Sequence, residues 1–143
     1  MTIRIDQIMD KNWQQQLKAR HPVLLKAHGD RRFRQPIAYY GIECGEAWYA
    51  LIDELCTDIE RALKRGCLPH AQVQQVKEKL GYLEFYVGMD EESSAIDLLI
   101  EKARERSAIT CEKCGAAGVR RTDGWLIVLC DTHHKHRSWM EHA

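Results

Sequence analysis

An α+β fold, mostly helical, with three or four helices, a short strand or hairpin and a small C-terminal module, is predicted by three observations. Between Ala47 and about Lys64, Trp48, Ile52, Leu55, Ile59 and Leu63 recur at steps of three and four, the mark of an amphipathic helix. From Tyr82 to Val87 the chain alternates Leu83, Phe85 and Val87 with Tyr82, Glu84 and Tyr86, the pattern of a half-buried strand. The last third carries two short cysteine and histidine pairs around an apolar run. Residues 1–109 therefore read as the main domain and 110–143 as a module packed on it.

In chain order, Met9, Trp13 and Leu17, then Val23 to Leu25, predict helix from Asp6 to about His28, broken at His21-Pro22 because proline cannot continue the hydrogen-bond ladder. Arg31, Arg32 and Arg34 form a basic cluster after Gly29, expected either as a solvated loop on the acidic middle or as a contact for phosphate. Ile37 to Ile42 reads as a short strand running into the Glu43-Cys44-Gly45-Glu46 hinge. The central helix follows, with Lys64 and Arg65 suited to its negative end and Gly66 as its stop. Beyond Pro69, Val73, Val76 and Leu80 at steps of three and four predict a second helix over 71–80, ended by Gly81. Asp90 to Ser94 is a suitable helix start for Ile96, Leu99, Ile100 and Ala103, which carry a third helix to about Ser107.

The C-terminal pairs are Cys111-x-x-Cys114 and Cys130-x-x-His133, with fifteen residues between Cys114 and Cys130. That spacing fits a four-ligand tetrahedral zinc site. Gly115 relieves crowding where backbone N–H groups point at the sulfurs. Gly118 and Gly124 bracket one half of a hairpin, Trp125 to Leu129 form the other, and Asp131 to Glu141 are expected to be helical. Knuckle, hairpin and helix in that order are the plan of a treble-clef or zinc-ribbon module. The zinc is expected to be structural, because four protein ligands leave no open position. His134, His136 and His142 are alternatives to His133, which is preferred because Cys-x-x-His mirrors the first pair.

The same plan occurs in zinc-stapled HNH nucleases, and His134 falls where such an enzyme places a catalytic-metal ligand. That chemistry also needs a histidine on the hairpin as general base. Residues 115–129 contain none. Catalysis is thus the second reading, and no catalytic residue is assigned. Cys44, beside Glu43 and ahead of a helix, is weighed as an activated thiol with His70 as a partner, against the plainer reading of a buried hinge cysteine.

The 45% hydrophobic and 29% charged residues place the chain among globular proteins rather than disordered ones. No run approaches the length needed to span a bilayer, and the N-terminus lacks a signal core, so a cytoplasmic location without membrane contact is expected. Six cysteines without a signal sequence suit a reducing compartment, with thiols free or on metal. No phosphate-binding glycine loop is present.

A net charge of zero hides a division. Residues 1–36 carry eight Lys/Arg against three Asp/Glu, residues 37–109 eight against fourteen, and residues 110–143 five against four. An acidic middle repels phosphate and could imitate it. A protein partner is therefore the leading expectation, engaged through Asp53, Asp58 and Glu60 on the central helix. Nucleic-acid binding through Arg31, Arg32, Arg34, Arg120 and Arg121 is the alternative.

Three stretches, Gly41 to Glu46 with Trp48-Tyr49 and Leu51 to Cys56, Val76 to Gly81 with Phe85 to Val87, and the terminal metal motif, together resemble a group of small, largely uncharacterised proteins of bacteria and phages. The resemblance covers roughly residues 37–133. It departs at Leu80, where an aromatic is expected, and at Ala117, where a proline is expected; neither is a ligand. What it implies is a phage or prophage accessory protein, a class that includes inhibitors of host defence.

Overall fold

The computed structural model describes residues 5–25, 36–66 and 71–137. Within them lie helices α1 (Ile5–Arg20), α2 (Pro36–Tyr40), α3 (Tyr49–Arg65), α4 (Ser94–Ser107) and α5 (Asp131–Lys135). The strands are β1 (Ile42–Glu43), β2 (Ala71–Lys79), β3 (Tyr82–Met89), β4 (Val119–Arg121) and β5 (Ile127–Leu129). The fold is α+β. A three-stranded sheet runs β1-β2-β3, with β1 parallel and β3 antiparallel to β2, and β4 and β5 form a separate antiparallel hairpin.

The central helix forms as its pattern predicts, preceded by a 3-10 turn at Glu46–Trp48. Leu51, Ile52, Leu55, Cys56 and Ile59 are its buried stripe, and they meet Trp13, Leu17, Val73, Val76, Leu83, Phe85 and Ile96 in one core. Burial pushes the Cys56 thiol strongly up, so it stays protonated and packs as a small apolar group. Helix α1 stops at Arg20, one residue short of His21-Pro22, and the turn that follows is tied to the sheet by Val73 N donating to Leu24 O at 2.9 Å. On α4, Ser93 is the N-cap and accepts from Ile96 N.

Two sequence expectations are corrected. Residues 71–79 are strand β2, not a helix. The register runs from Val73 opposite Val87 to Gln75 opposite Tyr86, so Gln74 is an extra residue in a β-bulge. The bulge resets the alternation, leaving Val73 and Val76 buried on the same face three residues apart. A bulged strand thereby reproduces the spacing of a helix. Leu80, the third member of the expected stripe, sits in the β2–β3 turn and is 55% exposed.

Residues 37–40 belong to the single turn α2 rather than to a strand, which begins only at Ile42. Pro36 supplies a helical φ at a first position where its missing N–H costs nothing. The positive φ of Gly41, +66°, then turns the chain into β1. The free edge of β1 is closed by a side chain: Gln14 Nε2 donates to Ile42 O at 3.0 Å, and Ile42 N donates to Gln14 Oε1 at 2.9 Å. The Gln14 amide thus takes the place of a neighbouring strand.

Candidate metal centre

Cys111 enters the site from the bridge between Thr110 and Ala117, and Gly115 folds the knuckle back with φ +79° while its N–H donates to Cys111 O at 2.9 Å. A Cβ at Gly115 would lie 3.1 Å from Ala47 O, and one at Gly118 would lie 3.0 Å from both Cys111 N and Val128 Cγ1. Both glycines are required by close approach. Cys130 is the N-cap of α5, where its sulfur accepts from His133 N at 3.4 Å. Glu112 holds Val128 of β5 twice: its N–H donates to Val128 O at 2.9 Å and its carboxylate accepts from Val128 N at 2.6 Å. Burial raises this carboxyl to about 7.

The four expected ligand atoms, on Cys111, Cys114, Cys130 and His133, all lie within 4.8 Å of one another. Metal bonds of ~2.3 Å to sulfur and ~2.0 Å to nitrogen at tetrahedral angles require S···S near ~3.8 Å and S···N near ~3.5 Å. Cys114 Sγ and Cys130 Sγ are 3.7 Å apart, well beyond disulfide length, and His133 Nδ1 is 3.7 Å from Cys111 Sγ and 3.2 Å from Cys130 Sγ. The donor set and its spacing fit one zinc ion. Burial opposes a charge on Cys111, but backbone hydrogen bonds from Cys130, Lys113 and Cys114 outweigh it and bring the thiol down to about 6. A ligand sulfur is thus prepared as thiolate.

The alternative histidines lie elsewhere or outside the described residues. His134 turns to the hairpin tip, where Nε2 is 2.8 Å from Asp123 Oδ2; Arg137 donates from Nη1 to the other Asp123 oxygen at 2.8 Å and from Nη2 to Trp125 O. The hydrogen bond from His134 holds the Asp123 carboxyl below its ordinary value. His136 caps the exposed end of α5, and His142 is outside the described residues. This tip cluster was not visible in the sequence, because neither ligand spacing nor periodicity links Asp123 to His134 and Arg137.

The centre is seated on the hinge ahead of α3. Trp48 Nε1 donates to Thr110 O at 3.1 Å, and a Cβ at Gly45 would lie 3.2 Å from Glu112 O. Cys44, half-buried beside the knuckle, is pushed up to about 12 by burial together with Glu112 and Glu78. It is a protonated packing residue, which removes the activated-thiol reading; His70 is outside the described residues, as is Cys67.

The expected binding residues are distributed over the fold. Asp53 accepts from Arg20 Nε at 2.7 Å and Nη2 at 3.0 Å, and its Oδ1 is 2.7 Å from His21 Nε2; Glu60 takes the other ring nitrogen of the buried His21. Asp58 has Arg61 at 4.0 Å. Arg120 donates from Nε to Leu80 O at 2.8 Å with its guanidinium 4.9 Å from the Tyr82 ring centre. Arg121 donates to Leu129 O and to Asp131. Arg31, Arg32 and Arg34 lie outside the described residues.

No protein-family model matches the chain, and no curated protein and no solved structure matches it. No helix among the described residues is long and apolar enough to cross a membrane.

Proposed function

We infer that the chain is a zinc-stabilised, non-enzymatic binding protein that engages a macromolecule through surfaces held in place by the metal. The observation that carries this reading is the complete set of donors: three sulfurs and one imidazole nitrogen all within 4.8 Å of one another, with Cys114–Cys130, Cys111–His133 and Cys130–His133 at 3.7, 3.7 and 3.2 Å. Such a set leaves no position for water or substrate. The energy of binding zinc goes instead into holding the 110–137 segment, whose two strands have three residues each, against the hinge at 44–48. Elemental analysis of the protein purified from zinc-supplemented cells tests it, with one zinc per chain expected and a metal-free, equally stable chain sinking it.

A nuclease of the HNH kind is the second reading, and the contact between His134 and Asp123 beside the metal centre is what favours it. Against it stands the histidine-free hairpin, 115–129, which offers no general base. Nicking of supercoiled plasmid with magnesium or manganese, lost in His134→Ala, would replace the first reading with this one. For a phage-encoded inhibitor that imitates phosphate, the central-helix acids are a weak surface, since Asp53 and Asp58 each face an arginine of the same chain and Glu60 is taken by the His21 ring.

A further inference from the structure

We propose that the open face of the three-stranded sheet binds single-stranded nucleic acid, with Lys77, Lys79, Arg104 and Arg120 on its phosphates and Tyr86 stacked on a base. The register defines the face. Lys79 is opposite Tyr82, Lys77 opposite Glu84 and Gln75 opposite Tyr86, and these pairs point away from the side on which Val73, Val76, Leu83 and Phe85 are buried. Two further cations reach the same face from other elements. The Arg104 guanidinium of α4 lies 4.1 Å from the centre of the Tyr82 ring and that of Arg120, on β4, 4.9 Å from it.

The charge is complementary to phosphate. Four cations stand against two carboxylates, Glu43 at the β1 edge and Glu84, which has Arg104 Nε at 3.6 Å. Among the described residues neither Lys77 nor Lys79 makes an ion pair within the chain, although Glu43 and Glu84 are the register partners of Lys77 on its two neighbouring strands. Six of the other acids of the middle segment are placed elsewhere: Asp53 and Glu60 on Arg20 and His21, Glu54 on Arg106, and Asp97, Glu101 and Glu105 spaced four apart on exposed α4 positions, while Asp90, Glu91 and Glu92 follow directly on β3. Segregation in space lowers the repulsion that the linear charge count implies.

The aromatic residues select a single strand. Tyr86 is 45% exposed on β3, beside the bulge at Gln74, two pleats and about 13 Å along from Tyr82. An exposed ring on a sheet can stack only against an unpaired base, since a duplex presents its backbone and groove edges. Tyr82 has a different task, because its ring holds the two guanidiniums.

This deepens the binding-protein reading, from which it takes only that the partner is a macromolecule. The test is fluorescence anisotropy on the full zinc-loaded chain, with a labelled oligouridine and oligothymidine of about a dozen nucleotides, a duplex of equal length and polyglutamate as competitor, between about 50 and 200 mM salt. Expected are binding of the single strands in preference to the duplex, an affinity that falls with salt, and a loss of about tenfold in Tyr86→Ala and in Lys77→Gln/Lys79→Gln. These substitutions, at two exposed positions and the half-buried Lys77, leave melting and zinc content unchanged, and Lys64→Gln/Lys102→Gln, which removes the same charge elsewhere, stays within about twofold of wild type. Zinc-loaded protein that ignores both oligonucleotides overturns the proposal, as does duplex binding of equal strength, indifference to Tyr86→Ala, or displacement by polyglutamate. A chain lacking zinc would instead count against the metal reading, so the two failures are distinguishable.

Discussion

Trp48 donates its indole N–H to the carbonyl of Thr110 at 3.1 Å, joining the turn that starts the central helix to the residue just before Cys111, the first candidate ligand. Trp48 is 1% exposed and belongs to the core, so the bond couples the candidate metal centre to the centre of the fold. Chelation of the metal should therefore be felt at Trp48. The ligands are held by two three-residue strands and a five-residue helix, which without an ion bury little, whereas structural zinc binds zinc-finger peptides with about 10–16 kcal/mol. EDTA is expected to shift the Trp48 indole resonance and speed its hydrogen exchange, with the peak assigned by its loss in Trp48→Phe. An unchanged indole signal in the metal-free chain would show that the knuckle and the core are independent.

The β2–β3 turn offers a gain in stability. Leu80 and Gly81 have φ of +54° and +83°, the signs a two-residue type I′ hairpin demands at both positions. Leucine is poorly suited to that region, and its side chain here is largely exposed. Leu80→Asn should stabilise by about 1 kcal/mol in urea unfolding. Gly81→Ala should do the reverse, because its Cβ would stand 3.3 Å from Arg120 Cγ and Nε in a conformation that already disfavours L residues. A destabilised Leu80→Asn would mean that Leu80 makes a contact worth more than its strain.

Acid sensitivity should pass through Asp53. Burial works against its charge, but the hydrogen bonds from Arg20 and His21 outweigh it and hold the carboxyl below its ordinary value. A depressed carboxylate contributes stability that is full above its unfolded value of about 4 and is lost as pH falls through the folded value. Asp53→Asn is expected to cost about 1–3 kcal/mol at neutral pH and to flatten the decline below about pH 4. Melting curves across that range check it, and a variant whose acid limb parallels the wild type would exclude Asp53 as its source.

The parts of this molecule that could be read from the sequence are those whose signal is local. Cys111, Cys114, Cys130 and His133 sit in short pairs, and the α3 stripe repeats over four turns, so spacing alone located both. Strand β2 has the sequence signature of a helix because a single inserted residue, Gln74, converts period two into a step of three. Asp53 and Glu60 read as available to a partner because the groups that occupy them, Arg20 and His21, lie more than thirty positions earlier in the chain. No window of sequence contains such a pair. The same limit hid the sheet face, where cations from β2, α4 and β4 meet only after folding.

The choice of fourth ligand is the sharpest test of the site, because two adjacent histidines have opposite surroundings. His133 Nδ1 faces two sulfurs, while His134 faces Asp123, whose other oxygen is held by Arg137. One turn of α5 cannot present both rings to the same ion, since neighbouring residues point about 100° apart. Cobalt substitution reports the donor set directly, as the absorption of a tetrahedral cobalt site depends on how many thiolates it holds. His133→Ala should weaken metal binding by at least about tenfold and alter the spectrum, and His133→Cys should restore affinity with a four-thiolate spectrum. His134→Ala should leave spectrum and affinity as they are, while releasing one oxygen of Asp123 and loosening the hairpin tip around Trp125. The reverse pattern, with His134→Ala disrupting the cobalt spectrum and His133→Ala silent, would exchange the two roles. It would also withdraw the histidine that the nuclease reading requires.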